Sequence, residues 1–216
     1  GTSLPFLLIS WAQMSINSSE TGILIGFMPI FTIMGSHYFF KYEKLNMRKT
    51  FGFVLGFVGL SVLLFNNNTN ISLYGNLLAK LAVILGAFFY ALNALLVKKI
   101  INISPLQLSA IVMTISSLQL LVLLILIGEP LIITKAIFSE SAVALLTMSI
   151  FSTAIATVIY YKIINDYGPN FLSLVNYPIP IFAFFAGILL LEESFNIYSI
   201  LSLFLVVTAI YISQKY

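Results

Sequence analysis

Two prolines stand near the middle of apolar runs, Pro29 in residues 21–40 and Pro180 in residues 171–191. Proline has no backbone N–H, so in a helix it strips the carbonyl four residues back of its partner. The carbonyls concerned are those of Ile25 and Asn176, and Pro178 does the same to Leu174. A bare carbonyl is costly in hydrocarbon, so these faces should turn toward a cavity, although a membrane helix also tolerates proline as a simple kink. Side chains that bind rather than react accompany them. Tyr90 and Asn93 follow Gly86 at helical spacing, Ser149, Thr153, Thr157 and Tyr160 form a second stripe, and Asn176 and Tyr177 adjoin Pro178 and Pro180. Amides and hydroxyls hydrogen-bond without fixed charge and aromatic rings stack, a chemistry suited to a neutral or zwitterionic metabolite such as an amino acid. Pairing between helices explains Ser149, Thr153 and Thr157 without any ligand. Trp11 lies toward the end of the first apolar run, where substrate contact and interfacial anchoring account for it equally well.

The remaining chemistry is mostly excluded. All seven acids, Glu20, Glu43, Glu129, Glu140, Asp166, Glu192 and Glu193, fall at the ends of apolar runs or between them. No carboxylate is placed mid-membrane as a proton relay would be, and His37 reads as interfacial. Glu43 and Glu193 occupy matching helix ends, where they either brace gates by pairing with Lys or Arg or are simply solvated. One histidine, one aspartate and no HExxH leave no triad, aspartate pair or metal motif, so an enzyme is not expected. The absence of cysteine removes thiol chemistry, and none of the twelve glycines builds a phosphate loop. Neither cofactor nor metal is expected. A net charge of +3 without a basic stripe on a soluble domain gives no footprint for nucleic acid.

These groups must be held by helices in a lipid bilayer. Sixty per cent hydrophobic and 8% charged residues, with a mean hydropathy of +1.07, leave too little polar surface for a soluble particle. Eight candidate spans cover residues 2–16, 21–40, 51–65, 77–97, 106–127, 142–164, 171–191 and 197–213. The longer ones reach the roughly 30 Å of a hydrocarbon core at helical rise, and barrel strands would be about half as long and alternate in polarity. The fold expected is all-α and polytopic. Lys41, Lys44, Arg48, Lys49, Lys98, Lys99, Lys162 and Lys215 fall on one side, which the distribution of basic residues marks as cytoplasmic, together with the C-terminus. Lys80, one turn inside the fourth span, is expected to snorkel to the headgroups.

The pattern Pro29-Ile30-Phe31 with Glu43 and Asn46 returns as Pro180-Ile181-Phe182 with Glu193 and Asn196. An odd number of spans separates the copies, so they point in opposite directions, the mark of an inverted-repeat transporter. The division expected is residues 1–76, the last three helices of a first repeat, and 77–216, a complete second repeat of five helices. Two upstream spans are then missing, and Gly1 reads as a cut within a longer protein. Gly52, Gly56 and Gly59 form a small-residue face on the third span, fit for a scaffold contact or a homodimer.

At these residues the chain resembles the drug/metabolite transporter superfamily, of the ten-span EamA-like type. The matching stretches are Leu4-Pro5-Phe6-Leu7-Leu8, Met28-Pro29-Ile30-Phe31-Thr32, residues 36–45, the Gly52, Gly56 and Gly59 series, and Pro180-Ile181-Phe182 with residues 187–193. The resemblance implies ten helices in two inverted repeats of five, working as a permease or exporter in the cell (inner) membrane by alternating access. The alternative is a transporter-like sensor or receptor without transport activity. The substrate-binding set expected is Asn176, Tyr177, Pro180, Pro29, Tyr90, Asn93, Tyr160 and Trp11, with Glu43 and Glu193 at the gates.

Overall fold

A computed structural model describes residues 2–40, 46–64, 73–100, 102–128, 140–172, 178–192 and 197–214. Among them are eight apolar helical stretches and no strand, as the eight candidate spans require. Four are long and apolar enough to cross a membrane, Ser18–Phe39, Leu77–Val97, Pro105–Ile127 and Ala142–Tyr167. The shorter four are Ser3–Ala12, Thr50–Gly59, Ile179–Leu191 and Ile197–Ile212.

Two of the long spans are interrupted. The first comprises α2 (Ser18–Ile25) and α3 (Met28–Gly35), followed by a π-helical turn at Ser36–Phe40. Its break falls at Gly26 and Phe27, just ahead of Pro29, where Phe27 N–H reaches back only to the Leu24 carbonyl at 3.2 Å. The other comprises α7 (Glu140–Thr147), a π-helical stretch at Met148–Ile155 and α8 (Ala156–Tyr167). Widened turns of this kind recur at functional sites because they re-aim the side chains that follow. α6 (Pro105–Ile127) is regular and its ends are specified locally. Ser104 and Gln107 form a reciprocal capping box, Pro105 occupies the first turn, and Gly128 closes the helix at φ 77°, a left-handed conformation that favours glycine.

α1 (Ser3–Ala12) runs antiparallel to α5 (Leu73–Val97): Pro5 and Ile9 meet Gly86, while Ala12 packs with Ala79, Ala82 and Val83. The hydroxyls of Thr2 and Ser116 lie 2.7 Å apart, and Ser3 donates to Gln119 at 2.6 Å, fastening the start of α1 to α6. α2 lies along α10 (Pro178–Leu191), with Gly22 directly on Ala183 and Gly26 on Pro180. α4 (Met47–Leu64) packs along α11 (Ile197–Gln214), where Ser202 donates to the Gly59 carbonyl at 2.7 Å. The spans that hold Pro29 and Pro180 thus lie side by side, as do α4 and α11. The tie between them is close contact at small residues and a hydrogen bond, the two devices available where lipid removes the hydrophobic drive between helices.

On the small-residue face of the third span, Gly56 meets Ile30 and Ala209, and Gly59 meets Leu205 and Val206, contacts of the scaffold kind within the chain. One sequence expectation is corrected: Lys80 does not snorkel outward. It turns into the bundle, with no exposed surface, and its Nζ lies 3.6 Å from Glu20 Oε1. The first turn of α2 supplies Glu20 from across the interface, giving the ammonium an inward partner in place of the headgroups.

Candidate functional site

The core divides along the bundle. Around Glu20 and Lys80, Ala12, Ile16, Ile23, Leu24, Ala79 and Val83 pack into one buried cluster. Toward the end that carries Lys98, a second cluster joins Met28, Ala87, Ala91, Ala94, Tyr161, Ile164 and Leu172. The alanines on one face of α5 are the reason helices come so close there. Beside this second cluster the helices part, and a cavity of about 340 Å³ opens.

Its wall is built from many of the helices. α5 contributes Tyr90 and Asn93, one turn apart; the π-helical stretch and α8 contribute Ser152, Thr153, Thr157, Tyr160 and Tyr161. Thr2 and Phe6 come from the start of the chain, Ile25 and Met28 from the two sides of the α2–α3 break, and Ile179 from α10. The π-helical stretch shifts the register between α7 and α8, and the polar stripe that follows it faces the cavity. Thr157 donates to the Thr153 carbonyl at 2.6 Å and Ser149 to the Leu145 carbonyl at 2.7 Å, so these hydroxyls bond within their own helix and not across to a neighbour. Of the two, Thr157 lines the cavity, where its hydroxyl oxygen can accept from a guest.

Tyrosines and an amide form the polar heart of the wall. The Tyr160 hydroxyl lies 3.5 Å from the Tyr90 carbonyl, the outer limit of a hydrogen bond. Asn93 is within reach of both the Tyr160 and Tyr161 side chains. Yet the buried Tyr161 hydroxyl closes no hydrogen bond of normal geometry. The two rings meet edge to face with centroids 5.4 Å apart, which fixes their orientation. No charged side chain is among the described lining residues. Such a surface can hydrogen-bond and stack on a ligand without neutralising a net charge.

Of the residues singled out in the sequence, Tyr90, Asn93 and Tyr160 meet in this wall, with Thr153 and Thr157. Pro29 and Pro180 are buried beside it without lining it; Pro180 packs on Gly26 at the helix break. Trp11 is 53% exposed on α1, toward the end of the bundle that carries Glu20, and is not a wall residue. Asn176, Tyr177, Glu43 and Glu193 lie outside the described residues. Ile25, whose carbonyl Pro29 strips of its helical partner, also lines the wall, whereas sequence reasoning missed Tyr161, whose signal was its place beside Tyr160, and the apolar wall residues Phe6, Met28 and Ile179, which carry none. It also missed the Lys80–Glu20 pair, although a lysine within an apolar run was the visible clue.

Residues 1–65 and 77–214 match the EamA-like transporter family, nearly the whole chain. The chain belongs to the EamA-like transporter family. Two relatives place this EamA-like chain further. It is 26% identical over 210 residues to an uncharacterized transporter, YoaV, of Bacillus subtilis (strain 168), covering 95% of this chain and 70% of that protein. It is 29% identical over 189 residues to an S-adenosylmethionine/S-adenosylhomocysteine transporter of Chlamydia muridarum, covering 83% of this chain and 58% of that protein. This EamA-like chain is thus a multi-pass membrane protein of a transporter family that spans only part of its relatives' length.

Proposed function

We propose that the protein carries a small neutral or zwitterionic metabolite across the cell membrane by alternating access, using the cavity between α5 and α8 as its substrate site. The observation that carries this reading is the wall itself: Tyr90, Asn93, Thr153, Thr157, Tyr160 and Tyr161 converge on about 340 Å³ with no charged side chain among the described lining residues. Cavities of a few hundred Å³, mostly apolar with a few convergent polar groups, are the usual form of small-molecule sites. The asymmetry of the bundle supports alternating access, since packing fills the Glu20 half and space remains in the other. An amino acid is the first substrate to test. The S-adenosylmethionine/S-adenosylhomocysteine pair named for the Chlamydia relative is the second, because S-adenosylhomocysteine joins an amino-acid zwitterion to a stacking base, while S-adenosylmethionine adds a sulfonium charge and so tests whether the site accepts a cation. Asn176 and Tyr177, next to the second proline pair, belong to the same proposed site, and Glu43 and Glu193 to its gates.

The test is exchange of labelled amino acids, nucleosides and S-adenosylmethionine by the full-length protein in proteoliposomes, beside Asn93→Ala and an Asn176→Ala/Tyr177→Ala variant. Saturable exchange of one compound is expected, with KM raised about fivefold to tenfold in Asn93→Ala, the effect of losing one hydrogen bond worth about 1 kcal/mol. Exchange unaltered in both variants moves the site elsewhere. No exchange by well-folded protein across the panel replaces the carrier with a sensor.

A further inference from the structure

Lys80 carries a charge where the bundle is driest. Its side chain has no exposed surface, and it sits seven residues into α5 beside Ala79, Ala82 and Val83. Glu20, whose side chain is 16% exposed, faces it from the first turn of α2 at 3.6 Å. The α2 N-terminus also favours the carboxylate, because its free N–H groups give that end a partial positive charge. Along α5, thirteen residues separate Lys80 from Asn93, about 20 Å at helical rise. The pair therefore stands far from the cavity, at the sealed end of the same helix that supplies the cavity's amide.

We infer that the Lys80–Glu20 pair is a latch that holds this end of the bundle shut while the cavity communicates with the other end. The inference rests on the alternating-access reading. Its physical basis is the difference between dry and wet. In the closed end each charge depends on the other, since a buried ammonium or carboxylate left unpaired is strongly unfavourable. When α2 and α5 separate, water enters and solvates both charges, so the attraction is replaced and opening is not blocked. The pair favours closure because its attraction at 3.6 Å, with the pull of the α2 N-terminus on the partly exposed Glu20, exceeds the cost of desolvating the two charges, the balance that sets the sign for a buried pair and that the neutral variant reads. A merely structural contact between α2 and α5 needs no charge, and the small residues around it already pack.

The sequence contains no cysteine, so Thr157→Cys in the cavity wall places a single reporter within these residues. In sealed proteoliposomes of the full-length protein, a membrane-impermeant maleimide should label this cysteine from the Lys98 end and hardly at all from the Glu20 end. Adding Lys80→Met with Glu20→Gln removes both charges and leaves none buried alone, which keeps the variant foldable. Labelling from the Glu20 end should then rise about tenfold, the ratio set by about 1.4 kcal/mol of lost closure. Exchanging the charges, Lys80→Glu with Glu20→Lys, should bring the rate back from the neutral variant's toward the parent's, stopping short of it because a lysine at the α2 N-terminus is disfavoured. A neutral variant as protected as its one-sided parent overturns the latch and leaves the carrier standing. A swapped variant that labels as fast as the neutral one also overturns it, because packing then matters and charge does not. Equal labelling of the parent from both ends overturns alternating access and the latch together.

Discussion

The Tyr161 hydroxyl is buried in the wall of the cavity without a closed hydrogen bond, in a protein where most buried polar groups are paired. Its ring is fully used, packed among Ala91, Val97, Leu108 and Leu172, and it also borders a smaller cavity of about 210 Å³ beside Lys98 and Asn102. Two opposite consequences follow for Tyr161→Phe. Removing an unsatisfied hydroxyl relieves a desolvation penalty of about 1–3 kcal/mol while the ring keeps its packing. We expect the variant's melting temperature in detergent to rise, by about 2–4 °C for each kcal/mol gained in a chain of this size. If substrate supplies the missing partner, the same variant binds it less tightly, so stability and affinity move in opposite directions. A fall in melting temperature would instead show that the hydroxyl holds an ordered water or a partner worth keeping. Tyr161→Ala has no such ambiguity: deletion of a buried aromatic ring costs about 3–5 kcal/mol.

At the scale of elements, close approach decides how the helices are placed, and glycine is informative only where something fills its space. A Cβ at Gly22 would run into Ala183 Cβ, which is attached to rigid backbone in α10. Alanine gains about 1 kcal/mol over glycine in helix propensity, whereas overpacking a tight contact costs about 1–3 kcal/mol. The clash wins, and Gly22→Ala should lower the melting temperature by several degrees. Gly86 gives the contrasting case: a Cβ there would meet Ile9 Cγ1 at 3.2 Å and Cδ1 at 3.4 Å, the movable end of a side chain. Gly86→Ala should therefore be neutral or slightly stabilising in the same melt, and a large loss would sink this account of the α1–α5 contact. How legible all this was follows the same line. Apolar runs gave the eight helical stretches because lipid demands length and composition, and Pro29 gave the break at Gly26 and Phe27 because proline cannot complete a turn. The polar stripe gave Tyr90, Asn93 and Tyr160. Partner choice was not legible: one period of 3.6 residues says which side chains share a face, and nothing about which helix covers it. For that reason the glycine face left scaffold and dimer open until Gly56 and Gly59 were seen to meet α3 and α11, and Lys80 proved to point at Glu20.

For the whole molecule, the division into a packed half and a half that holds a cavity acquires a direction only when the bundle is oriented in its membrane. The basic residues supply that orientation. Arg48, Lys98, Lys99 and Lys162 fall at or near the end of the bundle toward which the cavity is displaced, whereas the buried Lys80 marks the opposite one. Lysine and arginine collect on the cytoplasmic side because translocating them against the membrane potential is unfavourable. On the proposed orientation the cavity belongs to the cytoplasmic half, and the arrangement would be inward-facing with the proposed latch outside. We expect a green fluorescent protein fused after Tyr216 to fluoresce and an alkaline phosphatase at the same position to stay inactive, with the opposite pair of results for fusions within residues 66–70. An active phosphatase at the C-terminus would invert the molecule. The same cavity would then open outward and the charge pair would close the cytoplasmic side, while Thr157→Cys would still label from its Lys98 end. Because the fusions report which end is cytoplasmic and the labelling reports which end is open, the two together fix the direction in which the cavity faces before any substrate is known.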